Sequence, residues 1–322
     1  IKYWDIGQGS YLTDGKAGMS SGKSVTERLF SFFARANYSY QDKYMLSASI
    51  RHEGSSKFAA DNRWANFWSA TAGWRISNEE FMKDFDWLDD LKIRFGYGVT
   101  GNNDFSATYM ANMLGSDTNW MMPNGTWAYS YGKSQNVNPN LGWEEKKEWN
   151  LGVDYSFFEG RLYGKFDYYR REVDNLLFSV KVPRPPYTQG SQMQNIGSME
   201  SKGWEFEVGG DIIRTKDFTW SSSMNLSHNT GKILTLEGDN SYHNGNGFVA
   251  PGTPGDAARM EAGSTIGSFY MWKFAGFDDE GSFLLYNKDG EVIPAAQKTE
   301  NDKQYIGNYT PKLIIGWSHT LT

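Results

Sequence analysis

The sequence contains no cysteine, which excludes disulfide bonds and thiolate metal sites. It also lacks any run that approaches the roughly 18 consecutive apolar residues of a membrane helix, so a helical membrane protein is excluded. Proline is scarce, at 9 of 322 residues. The net charge of -6 is modest and argues against nucleic acid as a partner. A long chain without cysteine suits a bacterial envelope protein better than a eukaryotic extracellular domain.

Aromatic residues are abundant, at 16% of the chain, with 13 Trp, 19 Tyr and 20 Phe, and glycine is also frequent, at 35. This composition is typical of a membrane β-barrel, in which one side chain in two is apolar and aromatics gather at both membrane interfaces. The chain begins at Ile1 without a signal peptide, which an envelope protein needs. We therefore expect further sequence upstream.

Alternation of apolar and polar residues with a period of two predicts β-strands along most of the chain. In 149–157, for example, Trp149 and Leu151 alternate with Asn150 and Asp154. About ten segments of roughly 9–13 residues show the pattern, long enough for a tilted strand to cross a bilayer. They are 32–40, 44–52, 64–76, 91–99, 149–157, 161–172, 204–212, 218–226, 265–277 and 313–321.

The connections between these strands alternate in length. Short ones follow residues 40, 158 and 213, and a medium one, with one short helix predicted at 78–84, follows residue 76. Long ones span 102–145, 176–201 and 232–264. Short turns on one side and long loops on the other are typical of outer-membrane barrels, with the long loops outside. The long connection 279–309 departs from this rule, since the strand count places it on the periplasmic side.

A soluble β-sandwich or propeller would also show one apolar and one polar face. Two features favour the membrane barrel: the polar faces carry charges at mid-strand, and the apolar faces carry aromatics near strand ends. No repeat of fixed length supports a propeller. The barrel predicts that Asp154, Glu207 and Asp211 face the lumen. It predicts outward positions for Trp149, Leu151, Val153, Trp204, Phe206, Val208 and Leu313.

Several segments resemble, in order, the SusC/RagA class of TonB-dependent outer-membrane transporters. They include LDDLKIRFGYGVTGNND (88–104), NIGSMESKGWEFEVGG (195–210), GSFYMWKFAGFDDEG (267–281) and YIGNYTPKLIIGWSHTL (305–321), with longer matches over 37–84 and 138–177. Together they cover most of the chain beyond residue 30 and are far more specific than any single one. The expected fold is therefore all-β: a transmembrane antiparallel barrel.

The resemblance implies a plug domain inside a barrel of about 22 strands, a count taken from the family. It also implies a SusD-like surface lipoprotein that closes over the extracellular mouth, and import of oligosaccharides or peptides with energy from TonB. We expect residues 1–322 to be part of one barrel domain in the outer membrane, surrounded by its lipid. The plug, the TonB-contacting region, the first half of the barrel and the strands after Thr322 are expected to lie outside this sequence.

No constellation of residues predicts an enzyme, a metal site or a cofactor. The four histidines do not share metal-binding spacing: His52, His228, His243 and His319. Asp278–Gly281 and Asn287–Glu291 offer oxygen ligands, but their spacing is incomplete for a calcium loop, and solvated turns are the favoured interpretation.

The best candidates for substrate contact are aromatics in the long loops. Trp120, Trp127, Tyr129 and Tyr131 lie within 102–145, and Tyr242 lies in the loop 238–256. Such side chains could stack on sugars or grip a peptide. They could equally pack the loop on itself or contact the lipoprotein, which is the favoured alternative. Inward charges on the strands are expected to contact the plug.

Three hypotheses remain from the sequence. The first is active import of a nutrient with a SusD-like lipoprotein. The second is a receptor or adhesin barrel that binds a ligand without importing it, and an upstream plug with a TonB-contacting segment would decide against it. The third is a membrane-embedded hydrolase, which needs a Ser/His or paired-carboxylate site at a barrel rim.

Overall fold

The structure is a computed structural model, and it describes residues 2–3, 23–24, 27–106, 109, 114–236, 242–244 and 257–322. The side chains of 2–3, 23–24, 114–120, 127–132 and 242–244 lie outside that description. In the described ranges, no helix has the length and apolar character needed to cross a membrane. The fold there is built from β-strands, which confirms the predicted all-β class.

The strands in chain order are β1 (Lys2–Tyr3), β2 (Lys23–Ser24), β3 (Leu29–Tyr40), β4 (Tyr44–Ser55), β5 (Trp64–Arg75), β6 (Leu88–Asn102), β7 (Leu114–Met121), β8 (Trp127–Lys133), β9 (Glu144–Phe157), β10 (Leu162–Asp174), β11 (Leu177–Lys181), β12 (Ser191–Asn195), β13 (Ser198–Arg214), β14 (Thr219–Thr235), β15 (Tyr242–Asn244), β16 (Arg259–Glu261), β17 (Ser268–Phe277), β18 (Phe283–Tyr286), β19 (Val292–Pro294), β20 (Lys303–Asn308) and β21 (Ile314–Leu321). Single turns of 3-10 helix occupy Ala60–Asn62, Ile76–Asn78, Glu80–Met82, Ala295–Gln297 and Glu300–Asp302.

Nine of these strands form one antiparallel sheet within the described residues, which we call the wall. Its order is β3, β4, β5, β6, β9, β10, β13, β14 and β21, so each wall strand pairs with its neighbours in this order, and β3 and β21 form the two ends of the described sheet. Two further pairs of strands are hairpins inserted between wall strands: β7 with β8, and β11 with β12. The wall is therefore a continuous meander, as an up-and-down barrel requires.

The register of the wall places apolar residues in rows that run across the strands. One row crosses all nine: Tyr40, Tyr44, Trp74, Ile93, Val153, Phe166, Phe206, Leu226 and Ile315. Because side chains alternate between faces along a strand, directly paired residues share a face. This face, the apolar face, also holds Leu151 paired with Tyr168, and Tyr168 paired with Trp204.

The opposite face, the polar face, carries the intervening residues. One of its rows reads Arg75, Lys92, Asp154, Lys165, Glu207, Asn225 and Gly316. Asp211 pairs with Ser221 and also lies on this face. The predicted separation of the carboxylates from the outward apolar residues is confirmed for the wall strands. Leu313 lies one residue before β21 begins at Ile314.

The connections divide into two sets at opposite ends of the wall. At one end, the turn end, they span 41–43, 76–87, 158–161 and 215–218. At the other, the loop end, they span 56–63, 103–143, 175–197 and 236–313. The predicted short connections after residues 40, 158 and 213 and the predicted long ones at 102–145 and 176–201 are confirmed, whereas the third long one, predicted at 232–264, extends over 236–313.

The structure corrects the prediction for the segment after β14. Residues 265–277 were expected as a further wall strand, but β17 lies in a separate four-stranded sheet, the loop sheet, with the order β19, β18, β17, β20. Because β14 pairs directly with β21, the connection 236–313 leaves and re-enters the wall at the loop end. The periplasmic placement of 279–309 is therefore wrong, since it counted β17 as a wall strand.

The connection 76–87 contains two single 3-10 turns rather than the one short helix predicted at 78–84. Glu79 is extended between them, with φ -75° and ψ 150°, and interrupts the helical backbone. Its carboxylate accepts hydrogen bonds from the Tyr44 hydroxyl at 2.7 Å, the Trp74 indole at 3.0 Å and the Lys43 ammonium at 3.1 Å. Glu79 thus ties neighbouring turns together at the turn end.

A charge on the apolar face should be far more harmful than one on the polar face. Leu226→Lys, on the row that crosses the wall, should lower the free energy of unfolding by about 2–4 kcal/mol, because the ammonium would face lipid. The matched control is Asn225→Lys, the adjacent residue on the polar face, which should change it by no more than about 0.5 kcal/mol. Urea unfolding in lipid vesicles measures both values. Equal losses would contradict the assignment of faces.

Glu79 should make stability depend on acidity. The hydrogen bond from Tyr44, with those from Trp74 and Lys43, lowers the pKa of Glu79 from 4.5 to about 2. A lowered pKa stabilises the folded state above the unfolded-state value, and this contribution is lost as the pH falls from about 4.5 toward 2.

The thermal unfolding midpoint in detergent should therefore fall less in this acidic range for Glu79→Gln than for the unmodified protein. Glu159→Gln, in another connection at the turn end, is the control and should keep the original profile. If Glu79→Gln retains the full acid sensitivity of the unmodified protein, the hydrogen bonds to Glu79 do not contribute as argued.

Candidate functional site on the polar face and at the loop end

The strongest charged cluster on the polar face centres on Arg94. Its guanidinium donates to both oxygens of Asp154, at 2.7 Å and 2.8 Å, and to Asp167 at 3.2 Å. The three residues come from β6, β9 and β10, so the cluster joins three adjacent strands. Paired, planar contacts of this kind fix a guanidinium strongly in position.

Gly152 provides the space for this arrangement. In the register it lies between Arg94 on β6 and Asp167 on β10. A Cβ atom at Gly152 would lie 2.6 Å from both Arg94 Nη2 and Asp167 Oδ1, closer than atoms can approach. The absence of a side chain is what allows the guanidinium to cross β9.

Further ion pairs cover the polar face at the same level and toward the loop end. Lys165 contacts Glu207 at 3.0 Å, and both side chains are about half exposed. Arg171 contacts Glu148 at 2.8 Å. Exposed pairs of this kind contribute little to stability, about 0–1 kcal/mol. These ion pairs therefore make the polar face a charged surface rather than stabilise the fold.

A hydrophobic cluster anchors the loops where they leave the wall. Phe58, Phe67, Phe105, Leu141 and Trp143 are buried together, with the rings of Phe58 and Trp143 5.0 Å apart. The Trp143 indole donates to the Arg63 carbonyl at 3.1 Å. The cluster joins the connections 56–63 and 103–143 to β5 and fixes the bases of these loops.

Beyond this cluster, side-chain amides join two loops along a line that we call the amide seam: Asn136, Asn138, Gln189, Gln192 and Asn195. Asn136 is buried, and its amide nitrogen donates to the carbonyls of Gln189 and Ser191, at 2.7 Å and 2.9 Å. Its oxygen accepts from the backbone and hydroxyl of Thr188 and the backbone of Gln189. Every polar atom of the Asn136 side chain is thus engaged, as burial requires.

The remaining seam residues imitate strand pairing. Asn195 accepts from the Gly142 backbone at 2.7 Å and donates to the Gly142 carbonyl at 2.9 Å, as a backbone partner would. Asn138 donates to the Met193 carbonyl, and Gln192 donates to the Val137 carbonyl. The seam therefore holds the β11–β12 hairpin against 133–143.

The predicted substrate-contacting aromatics fall into two places. Trp120 lies in β7 and Trp127, Tyr129 and Tyr131 lie in β8, so these four come together on one hairpin, with Trp120 paired to Ala128. Tyr242 lies apart, in β15, paired with Glu261. The side chains of all five lie outside the described residues, so substrate contact remains a prediction.

Sequence reasoning missed the amide seam. Its sequence signature is the density of amides in SQNVNPN (134–140) and QGSQMQN (189–195), which a strand search treats as ordinary loop. The acidic segments considered for calcium serve as turns: the Asp278 side chain accepts from the backbones of Glu280 and Ser282, and Asn287 accepts from those of Asp289 and Glu291. The described residues contain no cluster of His, Asp and Glu that could hold a metal.

The seam makes a specific prediction for Asn136→Asp. A carboxylate cannot donate to the carbonyls of Gln189 and Ser191, so the β11–β12 hairpin should separate from 133–143. Hydrogen exchange of the backbone amides over 187–195 should become faster while the wall strands keep their protection. Asn124→Asp is the matched control, because within the described part of the chain Asn124 is engaged through its oxygen, which accepts from Thr126. Equal exchange in both variants would contradict this role.

Comparisons with known proteins agree with this geometry. The family profile described as "TonB dependent receptor-like, beta-barrel" matches residues 3–321. The TonB-dependent receptor SusC of Bacteroides thetaiotaomicron is 36% identical, over 87% of this chain and 29% of SusC. The TonB-dependent receptor P39 of Formosa agariphila is 34% identical, over 88% of this chain and 26% of that protein. The chain thus spans less than a third of the length of these relatives.

Among solved structures, the RagAB peptide transporter superposes with a TM-score of 0.78 at 28% identity, over 97% of this chain and 34% of that chain. The outer membrane transporter YddB of Escherichia coli, at 11% identity and a TM-score of 0.53, shares the fold alone. The relatives are receptors and transporters rather than enzymes. The chain belongs to the TonB-dependent receptor family, to its SusC/RagA class, and its wall is part of that family's β-barrel.

Proposed function

We propose that the protein imports a nutrient actively across the outer membrane, with energy from TonB. The observation that carries this proposal is the two-faced wall: a continuous apolar row on one face and a charged face opposite it. In a barrel, the apolar face contacts the lipid and the charged face lines a wet or plugged lumen. Family membership supports this activity, and the TonB-contacting region is proposed to lie outside residues 1–322.

The proposal places all 322 residues in one barrel domain of a Gram-negative outer membrane. The polar-face charges then meet a plug domain contributed by sequence outside this chain. Lys165 and Glu207 are half exposed and accessible for that contact. Arg94, by contrast, is already held by two carboxylates of the wall.

A SusD-like surface lipoprotein is the proposed partner at the loop end. The loop sheet supports this with exposed aromatics: Phe274, Phe277 and Phe283 are each more than half exposed, and their ring centroids lie 5.0–6.0 Å apart. Contiguous exposed apolar side chains on a folded surface mark a site of protein contact. Their position on the 236–313 connection places them on the same side as the other long loops.

The proposed substrate is an oligosaccharide or a peptide. The RagAB neighbour is a peptide transporter, and hydroxyl side chains at the loop end can bind sugar hydroxyls and peptide groups alike. The aromatic residues Trp120, Trp127, Tyr129, Tyr131 and Tyr242 are proposed as substrate contacts. The alternative function is a receptor or adhesin barrel that holds its ligand without importing it.

Import and simple binding differ in their need for energy. Cells that express the protein should accumulate labelled oligosaccharide or peptide from a defined pool in the periplasm. The accumulation should fall to background when tonB is deleted or a protonophore is added, while binding at the cell surface persists. A strain without the gene controls for leakage through porins.

If the ligand binds but periplasmic accumulation is the same with and without TonB, the receptor or adhesin alternative is correct. If the labelled pool accumulates equally in the strain without the gene, this protein is not its importer.

A further inference from the structure

A cavity of about 580 Å³ lies at the loop end, between the β11–β12 hairpin and residues 134–136. Its floor is one face of the hairpin, formed by the cross-strand pairs Ser179 with Met193 and Lys181 with Ser191. Val180, between Ser179 and Lys181, is buried on the other face. The volume is within the range of small-molecule sites, roughly 300–1,000 Å³, and exceeds what a single ion needs.

The cavity is held in shape by the amide seam. Asn136 and Gln189 line it, and the hydrogen bonds of Asn136 fix the carbonyls of Gln189 and Ser191 beside it. The Gln189 amide also donates to the Lys133 carbonyl at 2.6 Å. A site whose walls are already fixed orders few groups when a ligand enters, which favours affinity.

The charge of the lining is one-sided. Among the described residues, it is lined by hydroxyl and amide side chains with Tyr109, Gly190 and Met193, and Lys181 is the only charged one. No aspartate or glutamate of this described lining is present, although the chain as a whole is acidic. Over the described residues, Lys181 has no carboxylate within ion-pair distance, whereas Lys147 and Lys165 on the wall each have one.

We propose that this cavity binds the carboxylate-bearing part of a polar ligand, with Lys181 as the counterion and the hydroxyls of Ser179 and Ser191 as neutral partners. The inference rests on the proposed import function and deepens it, because it gives one chemical requirement to an otherwise open substrate class. The carboxylate could belong to a peptide or to a uronic acid unit of an oligosaccharide. A hydrogen bond between two charged groups strengthens binding more than a neutral one does.

The test measures binding to the full-length protein purified in detergent, by isothermal titration calorimetry. One pair of probes is tetra-alanine and its C-terminal amide. The other pair is trigalacturonate and its methyl ester. The acid form of at least one pair should bind about two- to fivefold more tightly than its neutral partner, because only the acid pairs with Lys181, which is exposed. The pair that shows the preference identifies the source of the carboxylate.

Lys181→Gln should remove this preference, whereas Lys216→Gln, an exposed lysine at the turn end, should leave it unchanged. Ser179→Trp, which fills the floor of the cavity, should abolish binding of acid and neutral forms together. The proposal is overturned if no probe binds, if acid and neutral forms bind alike, or if Lys181→Gln keeps the preference. Binding here needs no TonB, so a failure of import would leave this result standing.

Discussion

The register of the wall strands is the constraint on which the rest of the structure depends. Because the side-chain period is two, a slip of one residue would turn every apolar residue of a strand toward the polar face. Nine strands agree in register along the row from Tyr40 to Ile315, so an error in any one strand would place polar groups against lipid. Lipid offers no hydrogen bonds to such groups, and each would cost several kcal/mol, about 2–4 for a lysine at the midplane.

The same register fixes the polar groups. Arg94 reaches Asp154 and Asp167 only because the register places Gly152 of β9, which has no side chain, between Arg94 on β6 and Asp167 on β10. The cluster is therefore a consequence of strand pairing and also secures it, since any shift of β9 would bring a side chain under the guanidinium. Lipid does not constrain the side-chain pattern at the loop end. There, hydrogen bonds of the amide seam fix the positions of the two loops relative to each other. Asn195 pairs with Gly142 as a neighbouring strand would.

Much of the wall could be predicted from the sequence, because alternation is a local property. Trp149, Leu151 and Asp154 were assigned to the correct faces from their own neighbours in the chain. The segment 265–277 shows the limit: it alternates as a wall strand does, yet β17 pairs with β18 and β20. Alternation identifies a strand but not its partner. The pairing of β14 with β21 rather than with β17 places 279–309 at the loop end. The amide seam joins residues more than 50 positions apart, so no local pattern predicts the contacts of Asn136 or Asn195.

The strand order places the long connections at one end of the wall. With β14 paired to β21, the connections after β4, β6, β10 and β14 all project from the loop end, and the turn end keeps short and medium connections, which residues such as Glu79 hold in place. The cavity at Lys181 and the exposed aromatics of the loop sheet therefore lie on the same side of the membrane. The contacts proposed at these two places therefore use residues outside the apolar row, and a change in either would leave that row unaltered. The proposed recognition and the membrane insertion thus depend on different residues.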